Sequence, residues 1–318
     1  MPYNAEISVA NPSCFLFLVD QSGSMNEIIN PTNIQTMETP ITIDGAIYTE
    51  QAEGTTKAQE VAKIINRLLL DLVVKCSPLG DPRNYFDIGV IGYSGSGISE
   101  RVKSVFEDEL SNRDIVSLFD LAENPLEYVT EKQIEQGPDG NMIETPTDYP
   151  VWIKPYAYDE TPMTQAFRLA KQWLAVWLKE GKHSNAFPPI VINITDGETN
   201  DSDDLTAAAK ELMSLSTDDG RILLFNIQIS CKQEVGHGSI IFPETSDKFA
   251  NNPFATMLYN ISSKLPTKIA ESARQSGFPD VKDESSRAFS YNADMKTLIS
   301  FLEIGTRGAA PSSPTQEP

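Results

Sequence analysis

Hydrophobic positions along the chain fall into two alternating kinds of segment. Short continuous apolar runs, beginning with Cys14-Phe15-Leu16-Phe17-Leu18-Val19, read as strands buried on both faces. Between them lie stretches with apolar residues three and four apart, the spacing of one helix face. The first such stripe is Val61, Ile64, Ile65, Leu68, Leu69, Leu72 and Val73. Ahead of it, Thr56 and Gln59 form the pattern of a capping box. Further strands are predicted at Phe86–Tyr93, about Ile98–Phe106, Ile190–Thr195, Arg221–Ile229 and Ala288–Tyr291. Helices are predicted after Thr161-Pro162, over Ser202–Leu215, in broken form over Phe249–Gln275, and up to about Ile304. Such alternation defines an α/β chain with a doubly wound, mostly parallel, Rossmann-like sheet and helices on both faces.

Two stretches break the alternation, and both carry hairpin signals. Residues 26–54 contain Asp44-Gly45 between β-formers, and residues 107–160 contain Gly137-Pro138-Asp139-Gly140. We read residues 1–304 as one domain with these two insertions, and the Gly-, Pro- and Ser-bearing stretch 305–318 as a disordered tail.

Charge narrows the choice of partner. Twenty-five Lys and Arg stand against 45 Asp and Glu, a formal net charge of −20. That balance argues against a phosphate-backbone binder, which needs a basic face. The 107–160 stretch alone holds 14 acids against three bases (Arg113, Lys132, Lys154). A membrane span needs roughly 20 apolar residues and an export signal a basic leader. The early apolar run ends at Asp20, and the first twenty residues contain no Lys or Arg. Cys14, Cys76 and Cys231 are dispersed, which reads as buried thiols in a reducing compartment. The expected location is the cytoplasm, with neither membrane nor nucleic acid as a partner.

Candidate chemistry starts where the first strand ends, at Asp20-Gln21-Ser22-Gly23-Ser24. A carboxylate and two hydroxyls at alternating positions can converge into a hard-oxygen site suited to Mg²⁺. Alone, the pentapeptide reads equally well as a Ser/Gly turn. Asp196 ends the fourth strand and opens Asp196-Gly197-Glu198. In a doubly wound sheet of order 3-2-1-4-5-6 the first and fourth strands are neighbours at the switch point, where ligands bind outside the carboxyl ends. That order would bring Asp20 and Asp196 together. Thr161, read as an N-cap with Pro162 at the first helical position, starts the helix that leads into the fourth strand, and so also belongs near the switch point.

Asp20-x-Ser22-x-Ser24, then Thr161-Pro162-Met163, then Ile194-Thr195-Asp196-Gly197 resembles the von Willebrand factor type A domain family over roughly residues 12–305. The ordered triple resembles that family's metal-ion-dependent adhesion site. The resemblance implies that Ser22 and Ser24 ligate a divalent metal directly, with Asp20, Thr161 and Asp196 binding directly or through water. It implies Mg²⁺, with Mn²⁺ or Ca²⁺ as alternatives, and a partner protein that donates a carboxylate to an open coordination position. The sequence looks most like bacterial intracellular members, which implies a non-enzymatic adaptor within a multi-protein stress, signalling or defence system. In the family small glycines often precede the threonine, whereas here Asp159-Glu160 stand there. These acids either tighten metal binding, discriminate among ions or repel an acidic ligand. The −11 of residues 107–160 predicts a flap that selects a partner with a basic surface around its carboxylate; the alternative is a solvated face that aids solubility.

Two other functions stand beside this one: a metal-assisted phosphoester hydrolase, and a structural adaptor with an unused metal site. Histidine chemistry has few options, since His183 is expected to be solvated and His237 sits between two glycines. Gly92-Tyr93-Ser94-Gly95-Ser96 lacks the final glycine of a nucleophile elbow. Gly181-Lys182 is followed by His183, unlike a P-loop, and Asp201 replaces the glycine of an EF-hand.

Overall fold

The computed structural model describes residues 3–29, 33–43, 46–77, 82–136, 142–180, 183–197, 202–229, 239–293, 297 and 299–301. Its first half runs β1 (Ser13–Asp20), β2 (Asn33–Ile43), β3 (Ala46–Glu53), α1 (Lys57–Lys75), β4 (Phe86–Ser94), β5 (Arg101–Ser104), β6 (Val116–Ser117), α2 (Leu118–Glu123), β7 (Glu127–Gln136) and β8 (Met142–Val151). The second half runs α3 (Met163–Glu180), β9 (Ile190–Thr195), α4 (Ser202–Leu212), β10 (Ser216–Thr217), β11 (Gly220–Arg221), β12 (Leu223–Ile229), β13 (Ile240–Ile241), α5 (Pro253–Ile261), α6 (Thr267–Gln275) and β14 (Phe289–Ala293).

One eight-stranded sheet has the order β13-β14-β12-β9-β1-β4-β5, with β6 also on β4. Taking β1, β4, β5, β9, β12 and β14 as the six principal strands, this is the predicted 3-2-1-4-5-6. β1 is parallel to both β4 and β9, and β12 is parallel to β9 and β14. β5, β6 and β13 pair antiparallel. Every residue of β1, β4 and β9 is buried, as two-sided coverage demands. Phe15, Phe17 and Val19 face one layer with α1 and α6. Leu16 and Leu18 face the other with α3, α4 and α5.

The local signals of the sequence account for most of these elements. Gln59 N–H donates to Thr56 Oγ1 at 3.2 Å, and Thr56 N–H to Gln59 Oε1 at 2.9 Å, closing the capping box of α1. Both hairpins form as separate two-stranded sheets, β2–β3 and β7–β8. Cys14 and Cys76 are buried free thiols.

Several expectations are corrected. The third strand is shorter than Ile98–Phe106, because Gly95 and Gly97 take positive φ and Gly97–Ser99 forms a 3-10 turn. Arg221 pairs in β11 instead of leading β12. Residues 107–160, read as an insertion, contribute to the main fold as well: β6 adds to the main sheet, and Leu110, Val116, Leu118, Leu121, Trp152 and Ile153 are buried in the core. His183 stacks on Trp177 with ring centroids 3.9 Å apart. Trp177 Nε1 in turn donates to Asp87 Oδ2 at 2.8 Å. Desolvation there lowers the His183 pKa. Because Asp87 opens β4, this cluster lies at the opposite end of that strand from Tyr93. Outside the described residues lie Cys231, His237, Gly181-Lys182, Asp201, the hairpin signals Asp44-Gly45 and Gly137-Pro138-Asp139-Gly140, and residues 302–318. Among the described residues no helix is long and apolar enough to cross a membrane.

Candidate metal centre

The register of β1 places the site. Val19 pairs with Ile194 of β9 and with Gly92 of β4, so Asp20 and Asp196 leave neighbouring parallel strands at the same edge. The carboxylate of Asp20 is buried, 1 % exposed. Its Oδ1 accepts Ser22 N–H at 2.9 Å, and its Oδ2 accepts the Thr195 hydroxyl at 2.6 Å. The loop then turns through a 3-10 segment, Gly23–Asn26, anchored by the fully buried Met25. Ser22 and Ser24 hydroxyls lie 3.1 Å apart, and Ser24 Oγ donates to Asp196 Oδ1 at 2.7 Å.

Thr161 arrives from the other insertion. Three backbone bonds stitch the segment before it to the strand ends. Tyr158 N–H donates to the Gln21 carbonyl at 2.7 Å, Gly23 N–H to Asp159 at 2.7 Å, and Gly95 N–H to Glu160 at 3.0 Å. The expected N-cap shifts by one residue: Ala166 N–H donates to the Pro162 carbonyl, so Pro162 caps α3 and Thr161 precedes it. A Cβ built on Gly197 would lie 3.6 Å from Ser24 Oγ and 3.7 Å from Thr161 Oγ1. The two hydroxyls therefore flank Gly197 together, and all five sequence-derived residues meet at one place. Asp159 does not join them, because its carboxylate accepts the Ser99 hydroxyl at 2.8 Å. That bond holds the rim loop.

Two further residues shape the site, and the sequence gives neither a role. Thr195, fully buried, orients Asp20; in the sequence it is only a member of the Ile194-Thr195-Asp196-Gly197 motif. Lys57, 4 % exposed, directs Nζ to Asp196 Oδ2 at 2.5 Å and to Glu27 Oε2 at 2.8 Å. The signal for Lys57 was its place in the first turn of a helix, where the macrodipole disfavours a cation.

Burial and mutual repulsion set the electrostatics of the cluster. Burial, then the charge of Asp196, push the Asp20 carboxyl up to about 6 against the bonds from Ser22 and Thr195. Burial and the same two carboxylates also raise the Tyr93 phenol. Two carboxylates and three hydroxyls, all hard oxygens, thus crowd together with a surplus of negative charge. That donor set fits a small divalent cation.

No protein-family model and no curated protein sequence matches this chain. Among solved structures the chain is similar to the manganese-loaded TRAP protein of Plasmodium vivax. The match has a TM-score of 0.40 and 14% sequence identity, covering 95% of this chain and 74% of that one.

Proposed function

We propose that this chain is a divalent-cation-dependent protein-binding module of the von Willebrand factor type A kind, without catalytic activity of its own. Asp20, Ser22, Ser24, Thr161 and Asp196 are its metal-holding residues. The observation that carries the reading is their convergence, from three separate segments, on one point at the carboxyl edge of the sheet. A bound Mg²⁺, or Mn²⁺ or Ca²⁺, would supply an open coordination position for a carboxylate oxygen of a partner protein. The chain's own part is to hold the oxygens in place: Thr195 orients Asp20, Met25 anchors the serine loop, and the Tyr158–Glu160 segment binds it to β4. A cytoplasmic adaptor in a bacterial multi-protein assembly is the setting this reading suits.

His183, stacked on Trp177 beside Asp87 at the far end of β4, takes no part at this site. Isothermal titration of Mn²⁺ into chelator-stripped protein tests the reading. Saturable binding is expected for the wild type and its loss in Asp20→Ala, with the far-UV circular dichroism of the variant unchanged. Equal Mn²⁺ binding by Asp20→Ala would remove the site from this edge of the sheet.

A further inference from the structure

Lys57 stands where a helix disfavours a cation, and it is buried only because it is paired. It is the first residue of α1, where unpaired N–H groups create a partial positive charge. It is also nearly inaccessible, and lysines are almost never buried without a partner. A local rule broken in this way marks a functional position. The backbone enforces the placement: Lys57 N–H donates to the Glu27 carbonyl at 3.0 Å, and Ile28 bridges Thr56. The ammonium is thereby held between two unlike carboxylates. The Asp196 side chain is 0 % exposed and forms part of the site, whereas that of Glu27 is 53 % exposed at its margin.

We propose that Lys57 is a tethered cation that shares Asp196 with any incoming divalent ion and so raises the concentration of metal needed to load the site. The inference rests on the metal-binding reading above. Without metal, the ammonium offsets one of two buried carboxylates and keeps the loop after β1 in its binding geometry. With metal, two added positive charges lie close to a buried third, where repulsion is several times stronger than in water. Glu27 gives the ammonium a second carboxylate to hold once Asp196 turns to the ion. The lysine is a positioning and threshold residue, not a ligand.

Equilibrium Mn²⁺ binding, followed by the electron paramagnetic resonance signal of free Mn²⁺, tests this on the full chain. Lys57→Gln, which removes the charge, is expected to bind Mn²⁺ about tenfold more tightly than the wild type or better. Lys57→Arg keeps the charge and should stay within about threefold of the wild type. Wild-type or weaker affinity in Lys57→Gln overturns the tether while leaving the metal site standing. Absence of Mn²⁺ binding in the wild type and both variants overturns the metal site and the tether together. Should Lys57→Gln unfold in chelator, the readout becomes recovery of its circular dichroism on adding Mn²⁺. Recovery at or below the levels that saturate the wild type supports replacement of one cation by another, and failure to recover overturns it.

Discussion

At the scale of single residues, the chemistry turns on Asp20 and on which cation answers it. Its two oxygens accept from neutral donors, Ser22 N–H and the Thr195 hydroxyl, while Lys57 is directed to Asp196. Burial and the Asp196 charge therefore raise its pKa to about 6, above an unfolded value of about 4. A carboxyl raised on folding holds its proton more tightly in the folded state. The associated stability is fully present below about pH 4 and is lost as pH rises through 6, amounting to about 3 kcal/mol. Thermal melts in chelator should show Asp20→Asn more stable than the wild type at neutral pH. The difference should shrink toward zero as pH falls to about 4. A variant that melts below the wild type at neutral pH would mean that the surroundings already compensate the Asp20 charge. A neighbouring glycine shows how closely this edge is packed. A Cβ on Gly92 would lie 2.2 Å from Gln21 Oε1 and 2.7 Å from Val105 Cγ1, so a side chain there would displace Gln21 and Val105 beside the serine loop.

Elements place these residues, and one side chain of α1 does much of the placing. Asn66 Oδ1 accepts Trp152 N–H at 2.9 Å and Ile153 N–H at 3.1 Å, and its Nδ2 donates to the Ile153 carbonyl at 2.9 Å. These bonds pin the chain as it leaves β8 for Thr161. Asn66→Ala leaves three buried backbone groups without their partner and is expected to cost about 2–4 kcal/mol. Because Thr161 lies downstream of the pinned segment, Mn²⁺ affinity should fall as well. Denaturant unfolding and metal titration of the same variant check both, and unchanged values would assign the positioning of Thr161 to the Tyr158–Glu160 bonds alone. Periodicity made the elements around this pin legible. The apolar runs of β1, β4, β9 and β12 and the stripe of α1 carry the period of the structure they form. The strand order then follows from the switch between them, and it brings Asp20 and Asp196 together. What stayed hidden is contact across long sequence separations. Asn66 reads as a polar interruption of a helix stripe, and β6 is too short to show a period. Likewise Tyr93, Asn193, Asn226 and Ser262 appear only as polar residues in apolar runs, yet they form one buried hydrogen-bond chain from β4 to the end of α5. Lys57 stood in view beside a recognised cap, but only the fold gave it Asp196.

For the molecule as a whole, the net charge of −20 is unevenly placed, and the structure divides the acidic 107–160 stretch into different roles. Glu131 is bound to α1, with Arg67 at 2.7 Å and Lys63 at 3.3 Å, and the Arg67 guanidinium lies over the Tyr149 ring. Asp159 is held by Ser99, and Asp120 pairs with Arg113 at 3.0 Å. These acids anchor the hairpin and its return to the site. Glu123, Glu127 and Asp148 are exposed instead, and their charges face solvent. Exposed charges of one sign accelerate association with the opposite sign, and the effect is screened over about 8 Å at physiological ionic strength. A synthetic peptide with one aspartate between lysines, immobilised for kinetic binding in Mg²⁺, serves as the probe. Glu123→Gln, Glu127→Gln and Asp148→Asn combined are expected to lower the association rate about threefold or more at low salt and to flatten its salt dependence. Dissociation should change little, because none of the three is among the residues that gather at Asp20 and Asp196. An unchanged association rate and salt slope would leave these acids the role of keeping the chain in solution.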